Sequence, residues 1–76
     1  MSPRLPRITA SELMRALRRD GWKQIRQSGS HVTLKHPTKS GYVTVPMHAS
    51  VIMKLKTLRT ILAQAGLAPE DLRALL

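Results

Sequence analysis

Two short runs, His31-Val32-Thr33-Leu34-Lys35 and Tyr42-Val43-Thr44-Val45-Pro46, constrain this chain more than any other feature. Each alternates polar and apolar side chains with period two, so each predicts a strand with one apolar and one polar face. Val32, Leu34, Val43 and Val45 fall on the apolar side, and His31, Thr33, Lys35, Tyr42 and Thr44 on the other. Ser28-Gly29-Ser30 before the first run and Pro37-Thr38-Lys39-Ser40-Gly41 between the two are turn formers, and Pro46 ends the second. Trp22 to Gln27, ahead of the first turn, completes a three-stranded antiparallel meander. Water on both faces of such a sheet would leave its apolar side bare, so helices must cover that side.

The flanking segments supply them. Thr9 followed three residues later by Glu12 has capping-box spacing, with Ile8 and Leu13 as a hydrophobic staple around it. The spacing predicts a helix from about Ala10 to Asp20 whose buried stripe is Ala10, Leu13, Met14 and Leu17, with Gly21 as its left-handed stop. Leu55, Leu58, Ile61, Leu62 and Ala65 predict a second helix over roughly Lys56 to Ala65, closed by Gly66-Leu67. Pro69, Glu70 and Asp71 open a short third one. Met1 to Arg7, with two prolines and two arginines and no periodicity, reads as a flexible arm, and residues 8–76 as a single domain. The predicted fold is α+β, an α-β-β-β-α two-layer sandwich with a short C-terminal helix and the polar strand face open.

A chain of 76 residues buries only about 60% of its unfolded surface, which leaves no room for a deep internal site. With 13 Lys+Arg against 4 Asp+Glu the formal net charge is +9, and a polyanion is the expected partner. No apolar run approaches the roughly 18 residues of a spanning helix and no charged-then-apolar stretch resembles a signal peptide, so a cytoplasmic protein with no membrane association is expected. Cysteine is absent, and three His and four carboxylates show no ligand-like spacing, so neither a metal nor a small-molecule cofactor is expected. One Trp, one Tyr and no Phe offer no stacking platform, so recognition of RNA would rest on charge and shape.

Candidate binding residues follow from this layout. His31 opens a strand on the polar face, alongside Lys35 and across from Lys23 and Arg26. Ser28, Gly29 and Ser30 either form the turn only or let a phosphate approach His31 closely. Lys54, Lys56, Thr57 and Arg59 gather at the start of the second helix with no acid to offset the dipole, as in an anion site. Arg15, Arg18 and Arg19 read as a solvated helix face. His36, before Pro37, reads as a turn residue, and His48 as a loop residue. An exposed strand histidine such as His31 is usually incidental by position alone, although an imidazole is suited to taking a proton from a 2'-hydroxyl. No base-reading helix favours DNA.

Gly21-Trp22, Gly29-Ser30-His31, Lys35-His36-Pro37, the run Val43 to His48 (VTVPMH) and the run Thr57 to Leu67 (TLRTILAQAGL), taken in order, resemble the HicA toxins, small mRNA interferases neutralised by HicB-type antitoxins. The resemblance spans about Ser11 to Leu76 and departs at Lys56, where the family commonly carries Gly. It implies a fold similar to double-stranded RNA-binding domains and a metal-independent endoribonuclease acting on mRNA, with His31 as the catalytic residue. The alternative is a noncatalytic RNA-binding module on the same surface.

Overall fold

The computed structural model describes residues 5–48 and 51–76, so Met1 to Arg4 of the expected arm lie outside the described residues. Helix α1 (Ala10–Arg19) is followed by strands β1 (Lys23–Ser28), β2 (His31–Lys35) and β3 (Tyr42–Pro46), then helices α2 (Leu55–Ala65) and α3 (Pro69–Leu75). The strands form one antiparallel sheet in the order β1-β2-β3. This is the α+β arrangement that the alternation and the helical stripes predict.

The capping box at Thr9 is made in both directions. Thr9 Oγ1 accepts from the Glu12 N–H at 3.2 Å, and Glu12 Oε1 accepts from the Thr9 N–H at 3.0 Å. These contacts hold the Glu12 carboxyl below its usual range, chiefly through the backbone N–H of Thr9. Helix α1 stops at Arg19 rather than Asp20, which serves as its cap. Helix α2 ends as expected, with Gly66 left-handed at φ 67 and the Leu67 N–H reaching back to the Leu62 carbonyl at 2.9 Å. The segment leading into α2 is tied to the start of α1 by the Met53 N–H donating to the Ile8 carbonyl at 2.8 Å.

The core lies between the helices and one face of the sheet. Leu13, Leu17, Leu34, Val43, Val45, Leu58 and Leu72 are fully buried, together with Trp22. Trp22 was expected to start the first strand. It precedes that strand instead, and its large ring fills the core while its indole N–H donates to Asp20 Oδ2 at 3.2 Å. Leu5 packs against the same core.

Strand β1 behaves differently from its neighbours. All six of its residues are exposed, whereas β2 and β3 each bury two inward side chains. Pairing runs Lys23 with Lys35, Gln24 with Leu34, then Arg26 with Thr33 and Ser28 with His31, so the register slips at Ile25. Ile25 is the extra residue of a β-bulge. Strict alternation would send Lys23 and Arg26 to opposite faces. The bulge resets the phase, so Lys23, Arg26 and Ser28 all stand opposite outward-facing residues of β2.

Candidate functional site

The hairpin that carries His31 is a two-residue connection. Ser28 belongs to β1 and pairs with His31, leaving Gly29 and Ser30 as the turn. Gly29 takes φ 59 at the first central position, where a tight hairpin favours glycine. A side chain there would meet nothing within 4 Å, so backbone conformation alone accounts for this glycine, and the turn tip is open to an approaching ligand. The Ser30 carbonyl accepts from the Met47 N–H at 2.6 Å, which fixes the turn against the end of β3.

His31 is exposed, and its cross-strand partners are Ser28 on one side and Pro46 on the other. Among the described residues no side chain hydrogen-bonds its ring. Two residues along β2, Thr33 stands between Arg26 and Thr44, and at the far end Lys35 stands between Lys23 and Tyr42. At about 3.3 Å per residue, His31 and Lys35 are roughly 13 Å apart along the strand. The structure therefore groups Arg26, Ser28, Gly29 and Ser30 nearest His31. Lys23 and Lys35 lie on the same face but at its other end.

The cations of α2 approach from the β3 edge. Lys56 and Thr57 share a hollow with Thr44, and Lys54 and Thr57 line a second hollow with Pro46, the cross-strand neighbour of His31. Lys54 is the N-cap residue without a side-chain cap, and the first turn of α2 holds no acid, so its leading N–H groups and the positive end of its dipole are uncompensated by carboxylate. Arg59 is exposed on the next turn. Lys56 adds an exposed cation to the first turn of the helix.

The other two histidines part company. His48 is exposed two residues beyond Pro46 and lines the hollow that holds Lys54. His36 is half-buried and fully engaged. Its Nδ1 accepts from the backbone N–H groups of Thr38 and Lys39, each at 3.1 Å, so Nε2 carries the hydrogen and donates to the Asp20 carbonyl at 2.7 Å. The ring meets Trp22 edge-on with centroids 5.2 Å apart. Gly21, with φ 108, lies directly beneath it, where an added Cβ would fall 2.7 Å from Nε2. Lys39 Nζ closes the assembly on Asp20 Oδ2 at 2.7 Å and on the Ala65 carbonyl at 2.9 Å. Gly21-Trp22 and Lys35-His36-Pro37 thus lock α1, β2 and the end of α2 together.

Tyr42 did not stand out in the sequence, where aromatic residues are too few to suggest a platform. It is 58% exposed on the same face as His31 and Lys35, and Ile25, pushed out by the bulge, is 54% exposed. Among the described residues no group of three or more His, Cys, Asp or Glu side chains is placed to hold a metal, and no helix is long and apolar enough to cross a membrane.

A small α+β domain with a basic, open sheet face and a histidine on its hairpin defines the class of protein. The model of the HicA toxin family of bacterial toxin-antitoxin systems matches residues 10–67. The chain belongs to that family, and is thus a toxin-type component of such a system. Among curated proteins no match was found.

Proposed function

We propose that this protein is an endoribonuclease that cleaves mRNA, with His31 as its proton-transfer group. The observation that carries the reading is the division of labour among the imidazoles. His36 is consumed by the fold, whereas His31 stands on the open face beside Arg26, Ser28 and the Gly29-Ser30 turn.

The chemistry needs little machinery. His31 takes the proton of a ribose 2'-hydroxyl; the 2'-oxygen attacks the adjacent phosphorus; the bond to the 5'-oxygen of the next nucleotide breaks, and that oxygen receives a proton from the imidazolium. A 2',3'-cyclic phosphate and a 5'-hydroxyl result, and no metal is required to supply the nucleophile. Arg26 and the α2 cations Lys54 and Lys56 balance charge on the phosphorane-like transition state, and the Ser28 and Ser30 hydroxyls and the open Gly29 backbone receive the phosphate. Thr57 and Arg59 extend this grip along α2, and Lys23 and Lys35 extend it along the sheet.

With chelator present, the purified protein is expected to cut RNA, and His31→Ala to slow cleavage by at least about 100-fold. Equal cleavage by the variant, or none by the wild type, overturns the catalytic reading. The absence of a hydrogen-bonding partner for His31 among the described residues favours a second reading, a noncatalytic RNA-binding module. In that case RNA binds with steep inverse salt dependence and is released intact.

The antitoxin of this reading is a HicB-type protein that covers the basic face with acidic groups. Induced alone, the toxin arrests growth, and a folded His31→Ala chain relieves the arrest.

A further inference from the structure

We infer that the open sheet face is a track for single-stranded RNA, with Tyr42 stacking an unpaired base a few nucleotides from the phosphate held at His31. This rests on the endoribonuclease reading for the placement of that phosphate, but the platform itself rests on separate observations.

The first is the exposed ring. An edge-strand tyrosine on the outward face is free of the core, yet it has an ordered neighbour, since the Lys35 ammonium lies 4.8 Å from the ring centroid. The second is the surface around it. Tyr42, Thr44, Thr33, Ile25 and Arg26 border one open concavity of ≈ 490 Å³. Its apolar walls are Tyr42 and Ile25, and its cations are Arg26 within it and Lys35 over the ring. The third is charge. The four acids of the chain are Glu12, Asp20, Glu70 and Asp71, none of which lies on the three strands.

A flat apolar surface with flanking cations suits a base attached to a phosphate backbone, because stacking accepts any base and the cations follow the phosphates. Duplex RNA does not fit this chemistry, since its bases are already stacked and its deep groove hides them. The bulge at Ile25 is part of the construction, because it places an isoleucine and an arginine on the same face within two residues. His31 and Tyr42 stand at opposite ends of this face, a span of roughly 13 Å along β2, which lies within the few nucleotides that a single-strand site of this kind covers.

The test is equilibrium binding of a short single-stranded RNA carrying one 2-aminopurine, and of a hairpin duplex, at fixed salt. The proteins are His31→Ala, which prevents turnover, and the same chain with Tyr42→Phe or Tyr42→Thr. Threonine keeps the strand preference while removing the ring, and thermal melting confirms that each variant is folded. Tyr42→Thr is expected to weaken single-strand binding about tenfold and abolish 2-aminopurine quenching, Tyr42→Phe to stay within about twofold, and duplex binding to be unchanged by either.

Equal single-strand affinity of the threonine variant overturns the inference. So does an equal loss for strand and duplex, which reports general adhesion, or competition by poly-glutamate that depends on Tyr42, which makes this a protein-docking face. Cleavage by the wild type is scored separately. A protein that binds through Tyr42 but cuts nothing refutes the nuclease reading and leaves the platform standing, and one that cuts but ignores Tyr42 does the reverse.

Discussion

His31 and His36 flank the same short strand, one opening β2 and the other just past its end. His36 has a partner at each nitrogen and an aromatic ring against its side. His31 has an exposed ring, a glycine turn before it and cations farther along the same sheet face. The two rings differ in what the fold asks of them. At one end the ring joins three parts of the chain; at the other it is exposed and takes no part in the joint.

The largest expected effect breaks the comparison at its open end. His31→Ala should remove at least about 99% of RNA cleavage while shifting the thermal midpoint by no more than about 4 °C, because surface substitutions cost within about 0.5 kcal/mol. Loss of the folded state on this substitution would refute the assignment of His31 to the unengaged class.

His36→Ala should do the converse. It strands the Thr38 and Lys39 N–H groups and the Asp20 carbonyl and opens space beside Trp22, at a cost of about 2 kcal/mol in urea denaturation. At a temperature where the variant is folded, cleavage per folded molecule should be unchanged. Gly21→Ala should cost about 2 kcal/mol alone, from its positive φ and its approach to the His36 ring. Combined with His36→Ala the two costs should fall short of additivity, since the ring that the new methyl meets is already gone.

A smaller effect comes from Asp20, which joins Lys39 and the Trp22 indole at the edge of the same lock. Asp20→Asn should cost about 1 kcal/mol, with the ion-pair part shrinking in high salt, because both partners are partly exposed.

The smallest is the pH dependence from Glu12. Its folded pKa is depressed by the Thr9 N–H, so the stability it contributes is complete above the ordinary carboxylate pKa and is lost as pH falls through the folded value. Glu12→Gln should flatten that part of the acid limb in melts followed by circular dichroism, and an unchanged limb would show that the capping contact adds nothing.

These outcomes bear on what the sequence makes legible. The alternation at Val32 and Leu34 and at Val43 and Val45 reports burial directly, because period two leaves one assignment of faces. Thr9, Glu12 and Gly66 are equally readable, since each acts through neighbours three or four residues away. The lock is different in kind. Nothing near His36 in the chain announces Asp20, sixteen residues earlier, or Lys39's reach to Ala65, so the local sequence reads only as a turn. The bulge at Ile25 leaves no trace in the pattern of Trp22 to Gln27, and without it the cations of β1 divide between two faces. Alternation places Tyr42 outward, as it is, but its surroundings depend on Ile25 and Lys35, which only the paired strands bring near it. The exposure of His31 follows from its place on the outward face of the paired strands, which the Gly29-Ser30-His31 motif alone does not reveal.

The bulge also has a consequence for the free protein. A bare six-residue edge is a template on which a second copy can pair strand to strand, and sheets that grow in this way precipitate. An extra residue that interrupts the ladder, with Lys23 and Arg26 repelling their own counterparts, makes β1 a poor template for its twin. The irregularity that aims the cations therefore also limits self-assembly, which matters most when the chain is made in excess over its antitoxin.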